Sequence, residues 1–292
     1  VRALLVAPPG TPAIAEVAAP LRQRGEVLVE VHHAAIDSGD AAVSAGVFHE
    51  LGYIERATVG LGWDFAGTVT ESDPSSEFRP GQRVVGIIDT FDKEVGAVSE
   101  YVSVPEDALT HLPDGVSSEE GAVVPVAALT ALQALATLGE ERGSLLVTGA
   151  AGMVGGFAIA IARELGFAVT GLARDHDRAF VESTGAAFLD GLAGSYDAVF
   201  DTAQLGAEAL AVVADGGRYV GVMPGGEPAS VRGVRVTSLV VAADRPQLTY
   251  LLGLIASKDM IARIREIVDL DRAPAAVMAP RTERGRTVVS LR

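Results

Sequence analysis

The stretch Leu145-Leu146-Val147-Thr148-Gly149-Ala150-Ala151-Gly152-Met153-Val154-Gly155-Gly156 limits the possible folds of this chain more than any other. A run suited to a buried strand ends in glycines spaced three apart, and a helical pattern begins at once. Met153, Phe157, Ile161 and Leu165 recur at four-residue spacing, which lines up one helix face. Strand, tight glycine turn and helix N-terminus in that order make an anion site. Helix-end N–H groups and the helix dipole attract a pyrophosphate there, and glycine lets the backbone come close to it. In a chain with 33 glycines the G-x-x-G-x-x-G spacing alone is weak. Its place between a strand and a helix is what reads as dinucleotide binding rather than as a structural turn. Gly149, Ala150, Gly152, Met153 and Val154 are the loop residues expected to line the cofactor.

Around this loop the pattern alternates. Leu145 to Thr148, Ala168 to Leu172, Ala198 to Asp201 and Arg218 to Val222 read as strands, and Val154 to Leu165, Asp177 to Ser183 and Ala207 to Val213 as helices. Such alternation gives right-handed crossovers and a doubly wound α/β domain with a parallel sheet. Upstream, short strand-like runs at Arg2 to Val6, Glu26 to Ala35, Gly62 to Glu71, Arg83 to Ile88 and Val98 to Val104 are separated by turn residues and predict a partly open β-barrel. Ser117-Ser118-Glu119-Glu120 marks the first helix start, a hydroxyl cap followed by acids. The expected organisation is a β domain over residues 1–122, a nucleotide domain over 123–255 containing a last strand at Val234 to Val241 and a helix at Arg245 to Ser257, and a tail over 256–292 whose Thr287 to Leu291 strand returns to the β body.

Composition narrows the function classes. The 292 residues are 49% hydrophobic and 21% charged, enough for two ordinary cores. A net charge of −15 argues against nucleic acid or an anionic membrane as partner. With no cysteine there is no disulfide and no thiolate metal site. Neither a leader pattern nor an apolar run of roughly 18 residues appears. These features predict a soluble, cytoplasmic protein that acts on a small molecule.

The second strand of the α/β domain bears on which dinucleotide is bound. An acid at its end would hold the adenosine ribose and favour NAD, but Leu172-Ala173 is followed by Arg174, with Arg178 one helical turn on. Two guanidiniums suit a 2′-phosphate and predict NADPH. The alternative is two solvated arginines neutralised by Asp175 and Asp177. Val222 and Met223, where another strand ends, are further cofactor candidates.

Taken in order, Ile36-Asp37-Ser38-Gly39-Asp40, Gly62-Trp63-Asp64-Phe65-Ala66-Gly67, Pro80-Gly81-Gln82-Arg83-Val84, Glu100-Tyr101-Val102, Leu112-Pro113-Asp114-Gly115, Leu129-Thr130-Ala131, the glycine loop and Gly285-Arg286-Thr287-Val288-Val289 make the chain resemble the medium-chain dehydrogenase/reductase superfamily over essentially its whole length. The resemblance implies a GroES-like β domain beside a Rossmann domain. It also implies that zinc is absent. The zinc alcohol dehydrogenase branch has a cysteine where this chain has Asp37 and a histidine where it has Trp63. The branch it looks like instead is the zinc-independent quinone oxidoreductases and enoyl reductases, which move hydride from NADPH to a quinone or an α,β-unsaturated carbonyl.

Enoyl-reductase relatives carry a tyrosine proton donor in the stretch matched by Ser44 to His49, where this chain places Phe48. Tyr53 and His49 are the substitutes nearby, with loop packing as the alternative role of each. Phe48 and Trp63 are expected to wall the substrate pocket. Asp37 replaces an asparagine common near the nicotinamide, and Thr130 matches a position beside the cofactor, with helix packing as its alternative. Relatives commonly form homodimers through the edge strand matched by Val234 to Val241. A redox-inactive relative that binds a cofactor or performs a non-redox step is the competing functional reading.

Overall fold

A computed structural model describes residues 1–280 and 283–292 of the chain. Two compact units emerge: Val1–Val126 together with Ala242–Arg292, and Ala127–Val241.

The first unit opens with β1 (Arg2–Val6), β2 (Ala13–Glu16) and β3 (Glu26–Ile36), followed by the short helices α1 (Ser38–Ser44) and α2 (Val47–Glu50). Then come β4 (Val59–Gly60), β5 (Asp64–Glu71), β6 (Arg83–Ile87), β7 (Tyr101–Pro105), β8 (Leu109–His111) and α3 (Ser118–Ala122). β3 is the organising strand. Val27, Val29 and Val31 alternate inward on it and are fully buried, the period of a half-covered strand. It pairs antiparallel with β5 and β7, and its register with β5 shifts between Leu28 and Val29 and between Val31 and His33. Such irregularities bend a strand, which lets one strand serve several partners around a barrel. α3 starts as its sequence predicts: Glu120 N donates to Ser117 Oγ at 3.1 Å and Ser117 N donates back to Glu120 Oε2 at 3.0 Å.

The second unit takes up within the first turn of α4 (Pro125–Thr137) and continues with β9 (Ser144–Thr148), α5 (Met153–Glu164), β10 (Ala168–Leu172), α6 (Arg178–Ser183), β11 (Ala187–Leu189), β12 (Tyr196–Asp201), α7 (Ala207–Ala211), β13 (Val213–Gly221) and β14 (Arg235–Ser238). Its strands run parallel in the order β11-β10-β9-β12-β13-β14. This is the doubly wound order, with β9 at the switch point and the glycine loop at its carboxyl end. No helix separates β11 from β12, since only residues 190–195 connect them.

The chain then re-enters the first unit through α8 (Arg245–Ala256), β15 (Ile264–Asp269), α9 (Ala273–Met278) and β16 (Arg286–Ser290). The return falls at Ala242 rather than at residue 256. α8 packs on the β domain because its Leu248, Leu251, Leu252 and Ile255 face is buried there and Thr249 Oγ1 lies 2.6 Å from Thr110 Oγ1 of the β8 strand. β16 pairs antiparallel with β3, Thr287 opposite Ile36, as the sequence predicts. β15 pairs parallel with β16 and was not anticipated, since it is an edge strand with mostly half-exposed residues. Among the described residues no helix is long and apolar enough to cross a membrane.

Candidate functional site

In the second unit the turn after β9 is tightly wound. Gly149 takes φ +59°, and a Cβ on it would lie 2.7 Å from Thr202 Oγ1. A Cβ on Gly155 would run into the Gly149 carbonyl oxygen, so the loop closes only on glycine. Gly152 caps α5 without a side chain, and the first-turn N–H groups from Met153 onward have no carbonyl of their own helix to reach. Backbone donors at a glycine cradle, on a helix following the central strand, fit a dinucleotide pyrophosphate. Ala150 is fully buried and its N–H binds Leu172 O at 3.0 Å, tying the loop to β10.

A residue overlooked in the sequence holds this loop. Asp201, fully buried at the end of β12, accepts from Thr148 Oγ1 at 2.5 Å, Tyr219 Oη at 2.7 Å and Gly206 N at 2.8 Å. Thr148 Oγ1 in turn accepts from Ala203 N at 3.0 Å, and Thr202 Oγ1 donates to Thr148 O at 2.6 Å. Burial, and then the Asp201 hydrogen bond, raise the Tyr219 phenol far above its ordinary range, so it stays a donor. The signal was an acid closing the apolar run Ala198-Val199-Phe200.

The two arginines differ. Arg174 is exposed, and its side chain makes no hydrogen bond or ion pair with another described residue. Arg178 lies 3.0 Å from Asp175 and 3.7 Å from Glu182, with its guanidinium over the Phe188 ring at 4.1 Å from the centroid. Its charge is already matched by these two acids beside it in the chain. Val222 and Met223 follow β13 in a bend and are half-buried, and Thr130 is buried in α4.

The first unit holds a cluster of buried charge. Asp37 caps α1, accepting from Gly39 N at 2.7 Å, while Asp40 Oδ2 accepts from Asp37 N at 2.9 Å and Asp40 Oδ1 from Gly62 N at 2.6 Å. Arg286 of β16 donates to Asp64 and, at 2.9 Å, to Asp37. Asp64 Oδ1 also accepts from Val126 N at 2.7 Å, in the first turn of α4. The Asp37 charge, at the position where the resemblance implies an asparagine near the nicotinamide, is thus engaged by a helix cap and a guanidinium. Burial pushes the Asp64 carboxyl up to about 6, against the pull of Arg286. Burial and then the neighbouring Asp37 push Asp40 up to about 7. Arg286 loses by burial but is held more firmly charged by Asp64 and Asp37.

Lys93 completes the cluster. It is 5% exposed, with Nζ 3.9 Å from the Trp63 ring centroid and donating to Thr90 O at 3.1 Å. Burial draws its ammonium down to about 7, against the opposing pull of Asp40, Asp37, Asp64 and Asp89. Trp63 is itself 7% exposed and meets Phe91 edge-on, with ring centroids 6.2 Å apart. Phe91 also stacks on Phe48 at 4.5 Å and on Tyr53 at 5.2 Å. The four aromatics form one wall, of which Tyr53, 37% exposed, is the open end. The Tyr53 hydroxyl makes no hydrogen bond with another described residue. His49 Nε2 pairs with Arg56 O at 2.9 Å, so that nitrogen carries the proton, and the buried Nδ1 has no partner. Phe91, Lys93, Asp40 and Arg286 were not singled out in the sequence. One available signal was that Lys93 and Lys258 are the only two lysines in an arginine-rich chain. Among the described residues, no three His, Cys, Asp or Glu side chains are grouped to hold a metal ion.

Comparison with known proteins adds to this geometry. Residues 23–114 match the alcohol dehydrogenase GroES-like domain. Trans-enoyl reductase tazE of Aspergillus terreus is 31% identical over 220 residues, covering 68% of this chain and 67% of that protein. The chloroplastic quinone-oxidoreductase homolog of Spinacia oleracea is 33% identical over 179 residues, 59% of this chain and 54% of that protein. The alignments therefore span between about half and two thirds of these relatives' lengths. The quinone oxidoreductase structure from Coxiella burnetii superimposes with a TM-score of 0.88 at 25% identity, covering 100% of this chain and 99% of that one.

Proposed function

The chain belongs to the medium-chain dehydrogenase/reductase superfamily, and on that premise we propose that it is a zinc-independent reductase that uses NADPH to reduce a quinone or an α,β-unsaturated carbonyl compound. The observation that carries this reading is the state of the two positions where the resemblance places zinc ligands. Trp63 is packed between Phe91 and Lys93, and Asp37 is ion-paired with Arg286. Neither is free to ligate a metal. Without a Lewis acid the acceptor must be electron-poor by itself, and a conjugated carbonyl is.

Bound NADPH supplies the hydride. The α5 N-terminus and the Gly149 to Gly155 cradle hold its pyrophosphate, and Arg174, uncommitted to any described residue, receives the 2′-phosphate. Phe48, Tyr53, Phe91 and Trp63 form a connected aromatic wall, and a quinone ring or enone stacks at its exposed end, Tyr53. Similarity to proteins named as trans-enoyl reductase and quinone oxidoreductase supports both acceptor types. The decisive assay follows NADPH absorbance with a panel of quinones and enones. Oxidation by at least one acceptor is the expected result, and cofactor binding without oxidation by any of them would favour the redox-inactive reading.

The β14 strand at the sheet edge, continued by the exposed Val240, is the surface through which the protein forms a homodimer in this reading. A monomeric mass in solution would refute the dimer.

A further inference from the structure

We propose that Lys93 is the proton donor of the reduction: its ammonium holds the carbonyl oxygen of the acceptor and protonates it as the hydride arrives at carbon. This rests on the reductase reading above and goes beyond it by naming the acid.

The ammonium has three N–H donors. One is spent on Thr90 O at 3.1 Å and one side faces the Trp63 ring at 3.9 Å. The third has no partner among the described residues. A buried ammonium with a spare donor is costly to keep, and a substrate oxyanion is the group that would satisfy it. The position also fits. Lys93 lies against Trp63, which belongs to the aromatic wall that runs through Phe91 to Phe48 and to the open Tyr53. In this role the acceptor lies along that wall from its exposed end at Tyr53, with its carbonyl oxygen at the third Nζ donor.

Charged groups on every neighbouring element set the behaviour of the amine. Asp37 and Asp40 come from the start and first turn of α1, Asp64 from β5, Asp89 from the loop after β6 and Arg286 from β16. Arg286 is taken up by Asp37 and Asp64. Asp40 is hydrogen-bonded only by backbone N–H groups and stands first among the carboxylates that favour the charged amine. Lowered toward neutrality by burial, the ammonium can release a proton in the range where a general acid works best. The step balances: hydride adds to the β-carbon of an enone or to the quinone, and the carbonyl electron pair moves to oxygen. An O–H bond forms as one Nζ–H bond breaks, and the neutral amine regains its proton from water; the enol left by an enone then takes a proton from water at its α-carbon as its O–H proton returns to water.

The competing role is plain charge neutralisation of the buried carboxylates, which an arginine would serve as well. The test therefore uses Lys93→Arg and Lys93→Met with the wild type. Both variants are expected to lose at least about a hundredfold in kcat for enone reduction, since general acids contribute roughly 10² to 10⁴. The wild-type pH limb near neutrality is expected to vanish in both, with NADPH affinity changed by less than about twofold on the binding arithmetic that sets tenfold at about 1.4 kcal/mol.

A second readout does not depend on turnover or on a variant that folds. With only Lys93 and Lys258 in the chain, ¹³C-lysine labelling gives two side-chain signals, and that of Lys93 is expected to titrate near pH 7 and to shift when a phenolate is added as an oxyanion mimic. Wild-type-like kcat and pH profile in Lys93→Arg would overturn the proposal, as would a Lys93 signal that does not titrate near pH 7 and ignores phenolate. If the wild type reduces no acceptor, the reductase reading fails and the donor role fails with it. If the wild type turns over and the variants match it, only the role of Lys93 fails.

Discussion

Arg286 donates to Asp64 across 222 residues of sequence and, at 2.9 Å, also to Asp37, so that the terminal strand is locked to the first turns of the β domain. Both the guanidinium and the Asp64 carboxylate are buried. Removing one member of such a pair leaves a charge without compensation, which typically costs about 3–5 kcal/mol. Arg286→Met should therefore shift the urea unfolding midpoint strongly downward. A loss below about 1 kcal/mol, the range of exposed pairs, would mean that water reaches the pair.

The same carboxylate makes stability depend on pH in a direction that can be worked out. Asp64 is raised from 3.8 to about 6 in the folded chain, so folding takes up a proton between those values. Its contribution is fully present below about pH 4 and is lost as pH rises through about 6, by about 3 kcal/mol at 1.36 kcal/mol per unit. Lys93 runs the other way: with its ammonium drawn from 10.5 to about 7, its contribution is present at high pH and is lost as pH falls through about 7. Unfolding free energies of wild type and Asp64→Asn, measured from pH 4 to pH 7, should diverge with the wild type losing ground. Parallel curves would contradict the raised carboxyl.

Gly155→Ala tests the cradle. The added methyl meets the Gly149 carbonyl oxygen, and overpacking of this kind costs about 1–3 kcal/mol. Because the oxygen belongs to the loop proposed to hold the cofactor, NADPH binding should weaken by about tenfold or more at about 1.4 kcal/mol per decade, while the β domain keeps its structure. Unchanged NADPH affinity measured by calorimetry would remove the loop from the site.

Arg174→Ala tests the cofactor choice. One charge-assisted contact is worth about 1.5–3 kcal/mol, which converts to roughly tenfold to a hundredfold in KM for NADPH, with KM for NADH nearly constant. Arg178→Ala should do less, since Asp175 and Glu182 already engage that guanidinium. Equal changes for both cofactors would sink the assignment.

Much of the architecture was legible because it is written in local periods. The alternation along β3 reports a buried face, as does the middle of the α5 stripe, where Phe157 and Ile161 are buried while Met153 is half-buried and Leu165 is exposed, and the Ser117–Glu120 capping box marks a helix start within four residues. Strands such as β2, β8 and β15 were not legible, being short or at an edge with weak alternation. The acceptor side was only half legible. Trp63 was expected as a pocket wall, and it is buried while contacting Phe91 and Lys93. Arg286 gave no sign of its role, and the scarcity of lysine marked Lys93 without saying what it does. Whether a charge is buried depends on partners such as Asp40 and Asp64, which lie far off in sequence and come together only when β5, β16 and the loop after β6 assemble.

Direct hydride transfer is the central claim, and isotope transfer tests it most closely. The protein is incubated with NADPH deuterated at the transferring position and an enone that it reduces, and the product is examined by mass spectrometry. The account predicts one deuterium at the β-carbon and a solvent-derived hydrogen at the α-carbon. A product without deuterium, or no product from any enone or quinone offered, would contradict it.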